Sequence, residues 1–406
     1  MTGHERGHER AHERGHERVD DADFAATGRA VWSEVDLDAI RANVAALRAL
    51  AAPAALLAVV KANGYGHGAV PVARAALDAG ASWLGVARVE EGEQLRDAGI
   101  DAPSMLLSEP APRVAARVIA AELTPVVYTD AGIDALAKAL ADSGRDTPLD
   151  VHLKVDTGMH RVGCAPDDAL ALARAIATRD ELVFAGVCTH LAVADEPDNP
   201  YTSEQLERFD AVLDALDAEG LRPPLAHCAN SAGLLVAGAR YDLVRVGIAC
   251  YGLPPAPAVA DGGIVLQPAL SLRARVTFVK ALPVGTRVSY GLRSEVGASG
   301  RVATVPAGYA DGVPRNLGMV GGEVLIRGRR RPIIGMVTMD QLLVDLGDEP
   351  ADVDDEVVLI GRQGDDEITA TEWGERLGTI SYEVVTGIGP RVPRTYLGQS
   401  AFGERA

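Results

Sequence analysis

The chain has 406 residues, 48% of them apolar, which is too long for one ordinary domain and enough to build two or three with substantial cores. A formal net charge of -18 excludes nucleic acid and anionic membrane as default partners, because both would repel such a surface. No stretch approaches the roughly 20 uninterrupted apolar residues of a membrane span, and the N-terminus lacks a signal peptide's apolar centre, so a cytoplasmic location is expected.

In chain order, the first feature is a His-Glu-Arg repeat with His4, His8, His12 and His16 spaced four apart. The tract is polar throughout and has no core to bury against, so residues 1–30 are expected to form a disordered tail. From Val31 the texture is globular. Val31 to Leu37 alternates like a strand, and Asp38 to Leu50 reads as an amphipathic helix. Eight short apolar runs then read as strands: Ala55 to Lys61, Ser82 to Arg88, Ser104 to Leu107, Thr124 to Tyr128, Leu149 to Val155, Leu182 to Cys188, Leu225 to Cys228 and Asp242 to Val246. Between them lie stretches such as Ala69 to Ala79, Glu90 to Ala98, Asp130 to Ala141, Pro166 to Ala177 and Ser203 to Ala218, with helical spacing of alanine, leucine and charge.

This alternation predicts an α/β fold in which residues 31–266 form a (β/α)8 TIM-type barrel. An open doubly wound sheet would alternate too, but no G-x-G-x-x-G follows the first strand, which weakens the dinucleotide-binding version. After about Leu266 the pattern changes. Leu270, Leu272, Ala274, Val276 and Phe278 alternate with polar neighbours, and β-rich runs follow at Val302 to Val305, Glu323 to Arg327, Pro332 to Asp345 and Glu356 to Ile360. Helical signal is confined mainly to Thr371 to Leu377. Residues 267–397 are expected to form a C-terminal mostly β domain, with the strand near Val35 pairing with it, and 398–406 a flexible end. Cys164, Cys188, Cys228 and Cys250 form no C-x-x-C pair and read as reduced, buried thiols; no metal site is expected.

Catalytic groups of such a barrel lie at the C-terminal ends of its strands or in the loops just after them. Lys61 closes the first apolar run, where lost hydration lowers an amine's pKa and favours the neutral form that makes a Schiff base. A lysine merely snorkelling off a strand end would look the same in isolation. Gly64, Gly66 and Gly68 follow and permit close approach, and Tyr65 adds a phenol. Lys154 and Arg161 follow the fifth strand; Arg161 can grip a carboxylate in bidentate fashion, and Lys154 beside it is electrostatically awkward. His190 follows the sixth. After the seventh, Asn230 and Ser231 offer a hydroxyl and N–H groups at a helix start, and Gly247 and Ile248 beyond the eighth can add two N–H donors, the usual phosphate position of this fold. Ser231 also suits a plain helix N-cap.

The segment Val60-Lys61-Ala62-Asn63-Gly64-Tyr65-Gly66-His67-Gly68 resembles the pyridoxal-phosphate lysine motif of bacterial alanine racemases. Leu153-Lys154-Val155-Asp156-Thr157-Gly158-Met159-His160-Arg161-Val162-Gly163 is a second match. Val288-Ser289-Tyr290-Gly291, Gly308-Tyr309-Ala310-Asp311-Gly312 and Met339-Asp340-Gln341 occur in the order, and with nearly the spacing, of that family's C-terminal domain. The resemblance covers about Val31 to Leu397. One departure is Thr338, where relatives often carry cysteine.

The resemblance implies pyridoxal 5'-phosphate as cofactor, held by Lys61, Tyr65, His190, Asn230, Ser231, Arg245, Gly247, Ile248 and Tyr382. It implies interconversion of L-alanine and D-alanine by two bases, Tyr290 for L-alanine and Lys61 for D-alanine, with Arg161, Met339 and Tyr309 at the substrate and D-alanine supplied to peptidoglycan. Lys154 matches a lysine that is carbamylated in many relatives, which turns a repulsive cation into an anion that holds the arginine. Tyr290 and Met339 would reach the site from the other subunit of a head-to-tail homodimer, and Tyr290 with Tyr382 would narrow its mouth. His190, hydrogen-bonded towards Arg245, would tune the Tyr290 phenol.

Arg245 needs a partner inside a barrel mouth, either the cofactor's ring nitrogen or a carboxylate such as Asp242. Arginine is always charged and only donates, so it would leave that nitrogen unprotonated and the electron sink weak, favouring reprotonation at Cα over transamination. Three rivals frame the reading. A non-catalytic pyridoxal-phosphate carrier would lack the β domain, and a decarboxylase of the same architecture would set an acid against the ring nitrogen. A broad-specificity or serine racemase differs only in mouth volume, worth about 1–3 kcal/mol of discrimination.

Overall fold

β1 (Val31–Asp36) alternates buried and half-buried residues, the period of a strand with one face in a core. It runs straight into the helix Leu37–Ala51, whose N-terminus is capped by the Asp36 carboxylate accepting Asp38 and Ala39 N–H. The computed structural model describes residues 30–398 apart from 238, 257–258, 260–262 and 299. The His-Glu-Arg tract and residues 399–406, with the expectations attached to them, lie outside the described residues.

Strands buried on both faces need near-continuous apolar runs, and the eight runs seen in the sequence supply them. They are β2 (Ala55–Val59), β3 (Trp83–Val86), β4 (Ser104–Leu106), β5 (Thr124–Val127), β6 (Leu149–Lys154), β7 (Leu182–Cys188), β8 (Leu225–His227) and β9 (Leu243–Val246). Neighbours pair in parallel from β2 through β8, and β9 returns to β2 with Ala55 opposite Leu243. The seam between β8 and β9 is bridged by Asp242 N–H to Ala226 O at 3.0 Å and Arg245 N–H to Ala229 O at 2.9 Å. The barrel predicted from sequence is therefore present. One helix escaped notice, Ala115–Ala120, because six residues are too few to show a helical period.

Among the described residues, ten strands build a second sheet. β10 (Leu270–Arg275) pairs antiparallel with β1, and the strand Arg394–Leu397 pairs parallel with β1's other edge. The described chain thus starts in this sheet, makes the barrel, and returns. Beside the predicted helix Ala370–Leu377 stands a second, Ser381–Thr386, which the sequence did not announce. Among the described residues no helix is long and apolar enough to cross a membrane.

The barrel is tied to the returning chain by Asn43, buried on the first helix. Its Nδ2 donates to Gln267 O at 2.9 Å and Cys250 O at 3.3 Å, and its Oδ1 accepts Gln267 N–H at 2.8 Å. Asn43→Leu would strip its partner from one buried backbone group, Cys250 O, and from two part-buried ones on Gln267. The expected loss is about 2–3 kcal/mol of unfolding free energy, read from a urea melt.

Candidate active site

β2 ends at Val59, so Lys61 does not close a strand as the sequence implied. It opens a turn in which Ala62, Asn63, Gly64 and Tyr65 all lie in the left-handed region, with φ of 52°, 54°, 60° and 51°. Such backbone costs a side-chain-bearing residue roughly 1–2 kcal/mol, and it persists only where surroundings over-determine it. Here Gly64 N–H reaches Val60 O at 2.8 Å, and Asn63 Oδ1 accepts Ala69 N–H at 3.1 Å. The Glu91 carboxylate takes Ala62 N–H and Ala87 N–H, each at 2.7 Å. Sequence reading missed Glu91. Its signal was an acid in the first turn of a helix, where such side chains reach back to free N–H groups. From the β domain the helix Ser381–Thr386 presses on the same turn: a Cβ on Gly66 would fall 2.2 Å from Val385 O.

Lys61 lines a cavity of about 690 Å³ together with Tyr65, Lys154, Arg161, His190, Asn230, Ser231, Arg245, Gly247, Ile248 and Tyr382. Every barrel residue singled out from the sequence is in it. Burial, and after it the Arg161 guanidinium, lower the Lys61 pKa against an opposing pull from Glu91. Burial also pushes Lys154 to about 8, with Arg245, Arg161 and Lys61 adding to it and Cys188 opposing. Lys154 Nζ donates to Leu107 O at 3.2 Å. Arg161 is exposed and has no acidic partner among the described residues. Four cationic side chains in one mouth favour anionic ligands.

One end of this cavity is a cradle of donors. Asn230, not Ser231, caps the following turn, its Oδ1 accepting Gly233 N–H at 2.8 Å. Ser231 Oγ instead accepts Gly247 N–H at 3.1 Å and Ala249 N–H at 3.4 Å. That occupies the Gly247 N–H expected to be free, but leaves the Ser231 proton to give. The buried Ile248 N–H has no acceptor among the described residues. A Cβ at residue 247 would sit 2.4 Å from the Tyr65 phenol oxygen, so glycine is what admits that hydroxyl. The Tyr382 ring stands 6.1 Å from the Tyr65 ring, and burial raises both phenols' pKa, which keeps them protonated.

At the barrel's centre Arg245 is buried without a carboxylate. Asp242 is not its partner; that side chain accepts Ala226 N–H at 2.8 Å. Arg245 Nη2 donates to Thr189 O at 2.8 Å, Cys228 O at 3.0 Å and His190 Nδ1 at 3.3 Å, and Nη1 to His227 Nδ1 at 2.6 Å. The Nε–H finds no acceptor among the described residues. His227 and Thr189 were missed in the sequence, having no motif to mark them.

Tyr290, Tyr309 and Met339 do not line the cavity. They are 67%, 43% and 53% exposed. Short bonds gather them on the β domain: Tyr309 N–H to Thr338 O and Ala310 N–H to Met339 O, both 3.0 Å, and Ser289 Oγ to Met336 O at 2.6 Å.

A lysine whose burial lowers its pKa, a cradle of donors at a helix start, and an arginine with a spare N–H form a set that fits pyridoxal 5'-phosphate, and with the barrel and the β domain they define a barrel-type pyridoxal-phosphate enzyme. Residues 35–255 match the family described as Alanine racemase, N-terminal domain, and residues 269–396 the one described as Alanine racemase, C-terminal domain. The chain belongs to the alanine racemase family, whose members are pyridoxal-phosphate-dependent isomerases. It is 52% identical to the alanine racemase of Symbiobacterium thermophilum, over 92% of this chain and 98% of that protein. The alanine racemase of D-cycloserine-producing Streptomyces lavendulae superposes with a TM-score of 0.85 at 43% identity, covering 91% of this chain and 98% of that one. A histidine racemase of Leuconostoc mesenteroides superposes with a TM-score of 0.84 at 30% identity, covering 92% and 99%.

Gly247→Ala tests the cradle. Displacing the Tyr65 hydroxyl is expected to weaken pyridoxal phosphate binding to the cofactor-free protein by about tenfold or more, measured by fluorescence titration.

Proposed function

We propose that the protein interconverts L-alanine and D-alanine at a site shared by two copies of the chain. One observation carries this reading: the cationic cavity holds Lys61 but no tyrosine suited to be a base, while Tyr290 stands exposed on the β domain outside it. The cavity's own phenols, Tyr65 and Tyr382, are pushed up in pKa by burial and serve as donors rather than bases. A head-to-tail homodimer would bring Tyr290 and Met339 of the partner subunit to the mouth.

Pyridoxal phosphate, when bound, acidifies the alanine Cα–H by drawing its electrons towards the ring. Lys61 would anchor it, and Tyr65, Asn230, Ser231, Ile248 and Tyr382 would surround its phosphate. Gly247 makes room there. Arg245 would offer its spare Nε–H to the ring nitrogen and, being unable to accept, would leave that nitrogen unprotonated. Arg161 grips the substrate carboxylate, with Tyr309 and the partner's Met339 shaping the substrate corridor.

Lys61 Nζ, its pKa lowered by burial, takes or returns the Cα proton on one face, which serves D-alanine. The partner's Tyr290 oxygen does so on the other face, for L-alanine. His190 accepts from Arg245 on Nδ1, so its proton sits on Nε2 and can be donated to that phenol oxygen, easing its ionisation. Lys154, lowered to about 8, has a usable fraction of neutral amine for carbamylation, and the resulting anion would hold Arg161. Tyr382 and the partner's Tyr290 narrow the mouth to a methyl side chain. Supply of D-alanine for peptidoglycan, in the cytoplasm, is the role that family membership supports.

The test is L-alanine in deuterated water. The native protein should release D-alanine deuterated at Cα. Lys61→Ala should abolish turnover and the visible absorption of the bound cofactor, and Tyr290→Phe should cut L-to-D turnover by about 10²-fold or more. Native levels of D-alanine from Tyr290→Phe would remove it as a base.

A further inference from the structure

The hydrogen-bond chain that starts at Arg245 continues beyond the cavity wall. His227 Nδ1 lies 2.6 Å from Arg245 Nη1, and His227 Nε2 lies 2.8 Å from His152 Nδ1. Both imidazoles are wholly buried, His227 on β8 and His152 on β6. A guanidinium only donates, so His227 Nδ1 is bare. The His227 proton then sits on Nε2 and is donated to His152 Nδ1, which is bare in turn and leaves the His152 proton on Nε2. The reverse order would set an N–H of His227 against an N–H of Arg245, and so would a doubly protonated His227. The chain therefore has one direction. Burial, and after it the charge of Arg245, push His152 to about 3 and His227 well below the usual imidazole value, so both stay neutral.

Two observations at the far end show the fold accommodating this chain. A Cβ on Gly186 of β7 would fall 2.1 Å from His152 Nδ1, so any side chain there would displace the ring. His152 Nε2 is buried with no hydrogen-bond partner, an orphan that interiors rarely tolerate. An apolar residue at 152 would fill the space without an orphan, but His227 would lose its acceptor. The choice of imidazole beside Arg245 also matters electrically. A carboxylate would hold the guanidinium and cancel its charge, whereas a neutral imidazole holds it and leaves the charge in place.

We propose that His227 and His152 are positioning residues for racemisation, a one-way pair that fixes the Arg245 guanidinium while keeping its Nε–H free for the bound ring. This rests on the role given to Arg245 above. Nitrogen-15 spectra of histidine-labelled, cofactor-free protein should show the proton on Nε2 and a bare Nδ1 for both residues. His152→Leu should lower kcat about tenfold, the scale of one lost buried hydrogen bond, with KM for alanine and cofactor retention near native. His152→Asn, whose amide oxygen can stand near the Nδ1 position, should restore most of the loss. A proton on His227 Nδ1, a native kcat in His152→Leu, or no rescue by His152→Asn would overturn the proposal. Arg245→Met separates the two claims. A native kcat there removes the role of Arg245 and the positioning proposal with it, whereas a low kcat there beside a native His152→Leu overturns the pair alone.

Discussion

Four cationic side chains, Lys61, Lys154, Arg161 and Arg245, share one barrel mouth, and their mutual repulsion is the constraint around which the site is organised. Each meets it differently. Burial lowers both lysines' affinity for their protons, Lys154 down to about 8. Arg245 cannot give up its proton and is held by carbonyls and imidazoles that leave its charge uncancelled. Arg161 stays exposed and, among the described residues, without an acid. The field that results suits a doubly charged phosphate and a substrate carboxylate, and it favours the neutral form of the Lys61 amine.

The fold supplies rigidity where this arrangement would otherwise relax. A left-handed turn holds Lys61, and it stands because Glu91, Asn63 and the helix Ser381–Thr386 brace it from three sides. That helix leads into the second sheet, whose β1 precedes the barrel and whose Arg394–Leu397 strand follows the helix. The barrel is thus clamped by a sheet made from both ends of the described chain. The β domain built on this sheet carries the exposed Tyr290 in the turn of a separate two-stranded hairpin and Tyr309 and Met339 in its loops, so the domain that steadies one site also presents the residues proposed to complete another.

The barrel was legible because parallel strands buried on both faces leave uninterrupted apolar runs that polar segments cannot imitate. Lys61 was found for a partly mistaken reason. The apolar run extends to Val60, but the strand itself ends at Val59, and three glycines hid a turn no propensity rule describes. The cap falls to Asn230 rather than to Ser231, since which of two adjacent side chains caps a turn depends on backbone angles the sequence does not print. His152 and His227 looked like polar residues within buried strands, and only their meeting across 75 positions gives them meaning. The order of Tyr290, Tyr309 and Met339 was readable. Their proposed relation to Lys61 came from the family resemblance alone, and a single chain does not display it.

The central claim is that a working site needs Lys61 from one chain and Tyr290 from another. The most direct measurement combines Lys61→Ala and Tyr290→Ala chains carrying different tags and isolates the hybrid dimer. One of its two sites would then have both native residues, and the account predicts recovery of about half the native activity from two nearly inactive parents. A hybrid no more active than its parents, at native cofactor content, would contradict it.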